Sequence, residues 1–89
     1  MRFKWDEKKS AQLKRERGMA FDEVLGLFEK PYHLSQKRDD PEQWRAIGWA
    51  QEKLITLIYE ERKDEEGLVY WLVTFWPSTK TERELFHDQ

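Results

Sequence analysis

The segment Leu68 to Trp76 reads Leu-Val-Tyr-Trp-Leu-Val-Thr-Phe-Trp. β-Branched and aromatic residues fill both alternating sets of positions, so no polar stripe is left to face water. Such a segment is a strand covered on both faces and placed centrally in its sheet. The rest of an 89-residue chain must supply the strands beside it and the helices over it. A chain this short supports one core, so one domain over residues 1–89 is expected.

Two upstream segments pair naturally with this strand. Lys53 to Glu60 carries Leu54-Ile55-Thr56-Leu57-Ile58-Tyr59, and Gln43 to Ala50 carries Trp44, Ile47 and Trp49. The charged connection Glu61 to Gly67 ends in glycine and predicts an antiparallel hairpin. Tyr32 to Lys37 predicts a further strand, and Lys37 to Pro41 a polar turn. Arg2 to Trp5 alternates as a short strand would.

Helices are marked by their ends. Asp6 reads as an N-cap, Glu7 to Arg17 holds good helix formers, and Gly18 suits the residue after the last turn. Phe21, Val24, Leu25 and Phe28 recur at helical spacing, ending near Pro31. Gly26 within that stripe reads as a point of close packing. Thr79-Lys80-Thr81-Glu82 is a capping box for a last helix. The fold class expected is α+β, in the order β-α-α-β-β-β-β-α. It comprises an antiparallel sheet of four main strands, a fifth N-terminal edge strand left open, two N-terminal helices and one C-terminal helix.

The chain has no cysteine, which removes disulfides, thiolate metal sites and cysteine nucleophiles together. No apolar run approaches a membrane span of ~18 residues. The first residues carry no apolar leader, so a cytoplasmic protein is expected. Histidines occur only at His33 and His87, and no metal-ligand spacing exists around them. The acidic stretch Glu60 to Glu66 lacks the oxygen spacing and central glycine of a calcium loop and reads as a solvated turn. Neither a metal nor another cofactor is expected. Ser78 reads as a turn or cap residue.

Basic residues are the remaining candidates. Met1 to Arg17 holds seven Lys/Arg against three Asp/Glu, on a chain of net charge −2. Arg45, Arg62, Lys80 and Arg83 are the candidates for holding a phosphate and stabilising its transition state, if they converge on one sheet face. Lys9, His33 and Trp76 are candidates for RNA contact, with tryptophans able to stack bases. Large aromatics exceed what one small core needs. Trp49 and Trp76, at strand ends, are therefore the candidate anchors of a partner surface.

Five motifs in register resemble one family. Phe3-Lys4-Trp5-Asp6-Glu7 with Lys9 is similar to the F-x-W-D-x-x-K opening of BrnT-type toxins. Gly18-Met19-Ala20-Phe21-Asp22-Glu23, with Phe28, resembles the next segment. Glu42 to Gly48, Leu57 to Arg62, and Thr79 to Phe86 resemble the E-x-R-x-x-x-I-G, V-V-Y-T-E-R and T-x-x-E-R-x-x-Y motifs. The resemblance implies a RelE-like fold and a metal-independent endoribonuclease, the toxin of a bacterial type II toxin–antitoxin pair. In that chemistry the 2′-hydroxyl of the RNA attacks the adjacent phosphorus. It also implies a small ribbon-helix-helix antitoxin, with operator DNA reached only through that partner, and no membrane. Two departures stand out. Trp76 occupies the place of a family arginine, and Glu16-Arg17-Gly18 replaces K-H-G. They motivate the alternative of a catalytically degenerate binding module that forms complexes without cleaving RNA.

Overall fold

The structure is a computed structural model and describes residues 2–39 and 42–88. Among them the chain forms β1 (Phe3–Lys4), α1 (Glu7–Arg17), α2 (Phe21–Val24), a 3-10 helix (Leu25–Glu29), β2 (His33–Asp39), β3 (Glu42–Ala50), β4 (Lys53–Asp64), β5 (Gly67–Pro77) and α3 (Lys80–His87). The strands make one sheet in the order β1-β5-β4-β3-β2. The fold is α+β, as the sequence predicts. The sheet is mixed, because β1 exists and runs parallel to β5. No helix among the described residues is long and apolar enough to cross a membrane.

α1 starts where Asp6 accepts the N–H groups of Lys8 and Lys9, and stops where Gly18 turns left-handed at φ 79°. Its inward residues are Ser10 and Leu13. Ser10 Oγ accepts the Phe21 N–H at 3.0 Å, joining α1 to α2. The expected helix over Phe21 to Phe28 keeps one α turn and then tightens to 3-10. Gly26 lowers helix propensity there, and Pro31 excludes continuation. A Cβ on Gly26 would meet nothing within 4 Å, so Gly26 does not mark close packing. Gly48 does: its added Cβ would lie 3.1 Å from Tyr32 Cβ and 3.4 Å from Leu27 Cβ.

The helices of the N-terminal half cover one face of the sheet. Leu13, Met19, Phe21, Val24 and Leu27 pack there on Ala46, Ala50, Ile55, Leu57, Leu72 and Phe75. Phe3, Phe28, Tyr32, Tyr59 and Tyr70 extend that core as a chain of stacked and edge-on rings. Burial pushes the Tyr59 phenol up to about 12.

Several boundaries differ from expectation. β2 runs to Asp39, so Lys37 to Asp39 are strand; the remainder of the expected turn, Asp40 and Pro41, lies outside the described residues. β4 and β5 extend almost to their junction, leaving Glu65 and Glu66 as the turn. Asp64 Oδ1 accepts the Glu66 N–H, which closes the turn, and Gly67 takes φ 109°. The side chain of Asp64 also holds Arg2 at 2.6 Å and Lys4 at 3.0 Å, clamping β1 to the hairpin. Arg2 first, then Lys4, keep its carboxyl well below the usual carboxylate range. β5 is interior only where β1 pairs with it, at Tyr70 and Trp71. Beyond that, Arg17 Nη1 donates to the Phe75 carbonyl and takes the place of a strand.

Phe75 is fully buried and meets Phe21 edge-on at 5.5 Å. Phe75→Ala is expected to cost about 3–5 kcal/mol, read as a lower urea midpoint with an unchanged slope.

Candidate nucleic-acid interface

The other face of the sheet carries the polar chemistry. Cross-strand register sets its side chains in rows. Trp71, Glu60 and Gln43 form one row; Thr74, Ile58, Arg45 and Ser35 the next; Trp76, Thr56, Ile47 and His33 the third. Strict alternation along β5 would put Trp71 and Trp76 on opposite faces, because their spacing is odd. A bulge prevents this. Pairing passes from Leu72 opposite Tyr59 to Thr74 opposite Ile58, leaving Val73 extra, so both indoles share the face.

A second irregularity sits on β2 between Gln36 and Arg38, at nearly the same level of the sheet. Bulges bend and twist a sheet. Lys37 Nζ lies 5.9 Å from the centre of the Trp76 ring. A flat sheet would separate their strands by three spacings of about 4.8 Å. Twist of the sheet and the reach of both long side chains bring Lys37 over Trp76, across the intervening strands.

α3 closes part of this face. Glu82 is buried, and its Oε1 accepts the Thr79 N–H at 2.8 Å, the Trp76 indole at 2.9 Å and the Thr56 hydroxyl at 3.0 Å. Ser78, in the connection between β5 and α3, is buried and meets Thr56 at 2.8 Å. Burial pushes the Glu82 carboxyl up, but the hydrogen bonds from Thr79, Trp76 and Thr56 outweigh it and hold the group below its ordinary value.

The open part is bordered by Trp71 and Trp76. Arg62 stacks on Trp71 at 4.7 Å. Arg62 also grips Glu60 Oε1 through Nε at 3.1 Å and Nη2 at 2.8 Å, while Gln43 donates to Oε2 at 2.7 Å. Arg45 lies between the indole rows, fixed by Nε donation to Ser35 at 3.1 Å. Lys37, Arg45 and Arg62 share this face with the carboxylates of Glu60 and, under α3, Glu82. The surface is an open trough with charge along its floor, suited to an extended anionic chain rather than an enclosed small molecule. A shallow depression of about 350 Å³ at the β1 edge, lined by Phe3, Lys4, Trp5, Glu7 and Trp71, gathers no comparable chemistry.

The structure brings Arg45, Arg62 and Trp76 together on this trough, with His33 half-buried at its β2 margin. Lys80 and Arg83 are exposed on α3 and pair with no described residue. Lys9 is half-buried on α1, the helix that packs against the opposite face. Trp49 is 36% exposed at the end of β3. Trp76 is half-buried, with its indole N–H committed to Glu82. Trp71, Lys37, Glu60 and Gln43 were not among the residues singled out from the sequence. The Glu60–Arg62 spacing, two apart on a strand, was the signal available for that pair. Among the described residues no three His, Cys, Asp or Glu gather as metal ligands. Neither a scan against protein-family models nor a search of curated proteins gives a match to this sequence.

Because the folded state lowers the affinity of Glu82 for a proton, Glu82 contributes stability above the ordinary carboxylate range. That contribution is lost as pH falls through its depressed value. Wild-type protein should lose more stability between pH 7 and pH 3 than Glu82→Gln does, measured by urea midpoints. Equal losses would show that Glu82 does not anchor α3 as a carboxylate.

Proposed function

We propose that the chain is the toxin component of a type II toxin–antitoxin pair, a cytoplasmic endoribonuclease that cleaves RNA without a metal at the open trough of its sheet. The observation that carries this reading is that Arg45, Arg62, Lys37 and Glu60 share one face of the sheet with two indoles. Attack by a 2′-hydroxyl needs a proton acceptor beside it and positive charge around the phosphorus. Glu60 supplies the acceptor. Arg62, already fixed beside Glu60, and Arg45, one row away, supply the charge. Water supplies the proton that the leaving 5′-oxygen takes up, and Lys37 adds positive charge further along the face. The resemblance to BrnT-type toxins supports the same chemistry. It adds a small ribbon-helix-helix antitoxin as partner, with operator DNA bound only through it. The exposed Trp49 and the half-buried Trp76 are the anchors proposed for that partner.

One observation favours a second reading, an RNA-binding module that does not cleave. Trp76 stands where the family has an arginine, and an indole offers no guanidinium fork to a phosphate.

Incubation with RNA in a chelator separates the two. Cleavage is expected, with Arg45→Ala slower by on the order of 10²–10³-fold and Glu60→Gln slowed as well. Binding without cleavage selects the second reading. If the protein neither binds nor cleaves RNA, both readings are wrong.

A further inference from the structure

The bulge at Val73 interrupts the alternation of β5. It sets two indoles on one face, with a cation over each and Arg45 in the row between them. We propose that Trp71 and Trp76 are two base-stacking platforms of a single site, which holds three consecutive nucleotides of single-stranded RNA. The first and third bases lie on the indoles, and the backbone between them lies on Arg45. This rests on the RNA reading above and adds the register of the strand on the protein.

The spacing selects that register. Trp71 faces Glu60 and Trp76 faces Thr56, four residues apart on β4, which is about 13 Å at strand rise. Bases stacked on one another rise only about 3.4 Å per step, so stacked neighbours cannot reach both indoles. A strand with its bases splayed onto a protein extends to roughly twice that rise, and covers the gap in about two steps. Arg45 lies opposite Ile58, level with the midpoint between Glu60 and Thr56 and two strands to the side of the indoles, where its long side chain can meet the backbone of such a trinucleotide.

The cations fit the same occupant. Arg62 and Lys37 rest on the electron-rich ring faces that a base would take. Both are exposed. An arriving base shifts them outward toward the flanking phosphates, so charge already stored over each indole becomes phosphate contact. Lys37, Arg45 and Arg62 outnumber the carboxylates of Glu60 and Glu82 here, which suits a polyanion, and base stacking is indifferent to sequence.

The test uses a labelled adenosine trinucleotide with 2′-fluoro sugars, which lacks the attacking hydroxyl, so binding is read apart from cleavage. Three further probes each omit one base. Omitting the first or third base should weaken binding about tenfold, within the range that base–aromatic stacking contributes, while omitting the middle base changes it less than twofold. Trp71→Leu should erase the penalty at one end only, and Trp71→Phe should keep it. Trp76→Leu should erase the other. Should loss of the Glu82 contact unfold that variant, the Trp71 pair decides alone. Equal penalties at all three positions, or a Trp71→Leu protein that still distinguishes the probes as wild type does, overturns the platforms while RNA binding stands. Failure to bind both the trinucleotide and a long single-stranded RNA overturns the underlying RNA reading as well.

Discussion

Every layer of this molecule hangs on the ladder between β4 and β5. It runs from Asp64 opposite Gly67 to Ile55 opposite Pro77 with one slipped register. On one face it presents Leu57 and Phe75 to the helices; on the other it presents Glu60, Trp71, Thr56 and Trp76. A two-residue turn held by Asp64 fixes its start, and the bulge at Val73 fixes which residues reach which face. Apolar burial supplies the driving force along this ladder. The bulge decides what that force leaves uncovered.

α3 divides the uncovered face in two. Glu82 serves both the helix, as the acid of its capping box, and the sheet, as acceptor for Thr56 and Trp76. A carboxylate taken out of water is tolerated because several donors converge on it. The pairing fixes where the helix ends its cover and where the open trough begins. Trp76 sits on that line, half under the helix and half toward Lys37.

Much of the architecture was legible because it obeys local rules. Asp6, Gly18, Thr79 and Glu82 announce helix ends through side-chain chemistry that acts within a few residues. β3, β4 and β5 announce themselves through branched and aromatic composition. The site was less legible for a geometric reason. Trp71 and Trp76 read as residues of opposite faces under a period of two, and a bulge carries no residue signature of its own at Val73-Thr74. Lys37 reads as a turn residue, since nothing local tells that the sheet twists enough to bring it over Trp76. Lys9 is the converse case. Its charge and motif position point to RNA contact, yet its helix packs on the far face. The short 3-10 helix after Val24 was hidden because the stripe through Phe28 is equally consistent with an α-helix, and only Gly26 weakens it.

Arg17 gives the basic end of α1 a meaning that charge counting does not. Past Trp71 no strand among the described residues pairs with the outer edge of β5, whose residues Leu72 to Trp76 are nearly all apolar. An uncovered edge of that composition is a template on which another polypeptide can add itself, strand upon strand. The guanidinium on the Phe75 carbonyl occupies one of the acceptors such an addition would need, and leaves a charge in its path. At this residue the basic end of α1 is a backbone cap for the sheet edge, a part that a count of charges along the sequence does not reveal.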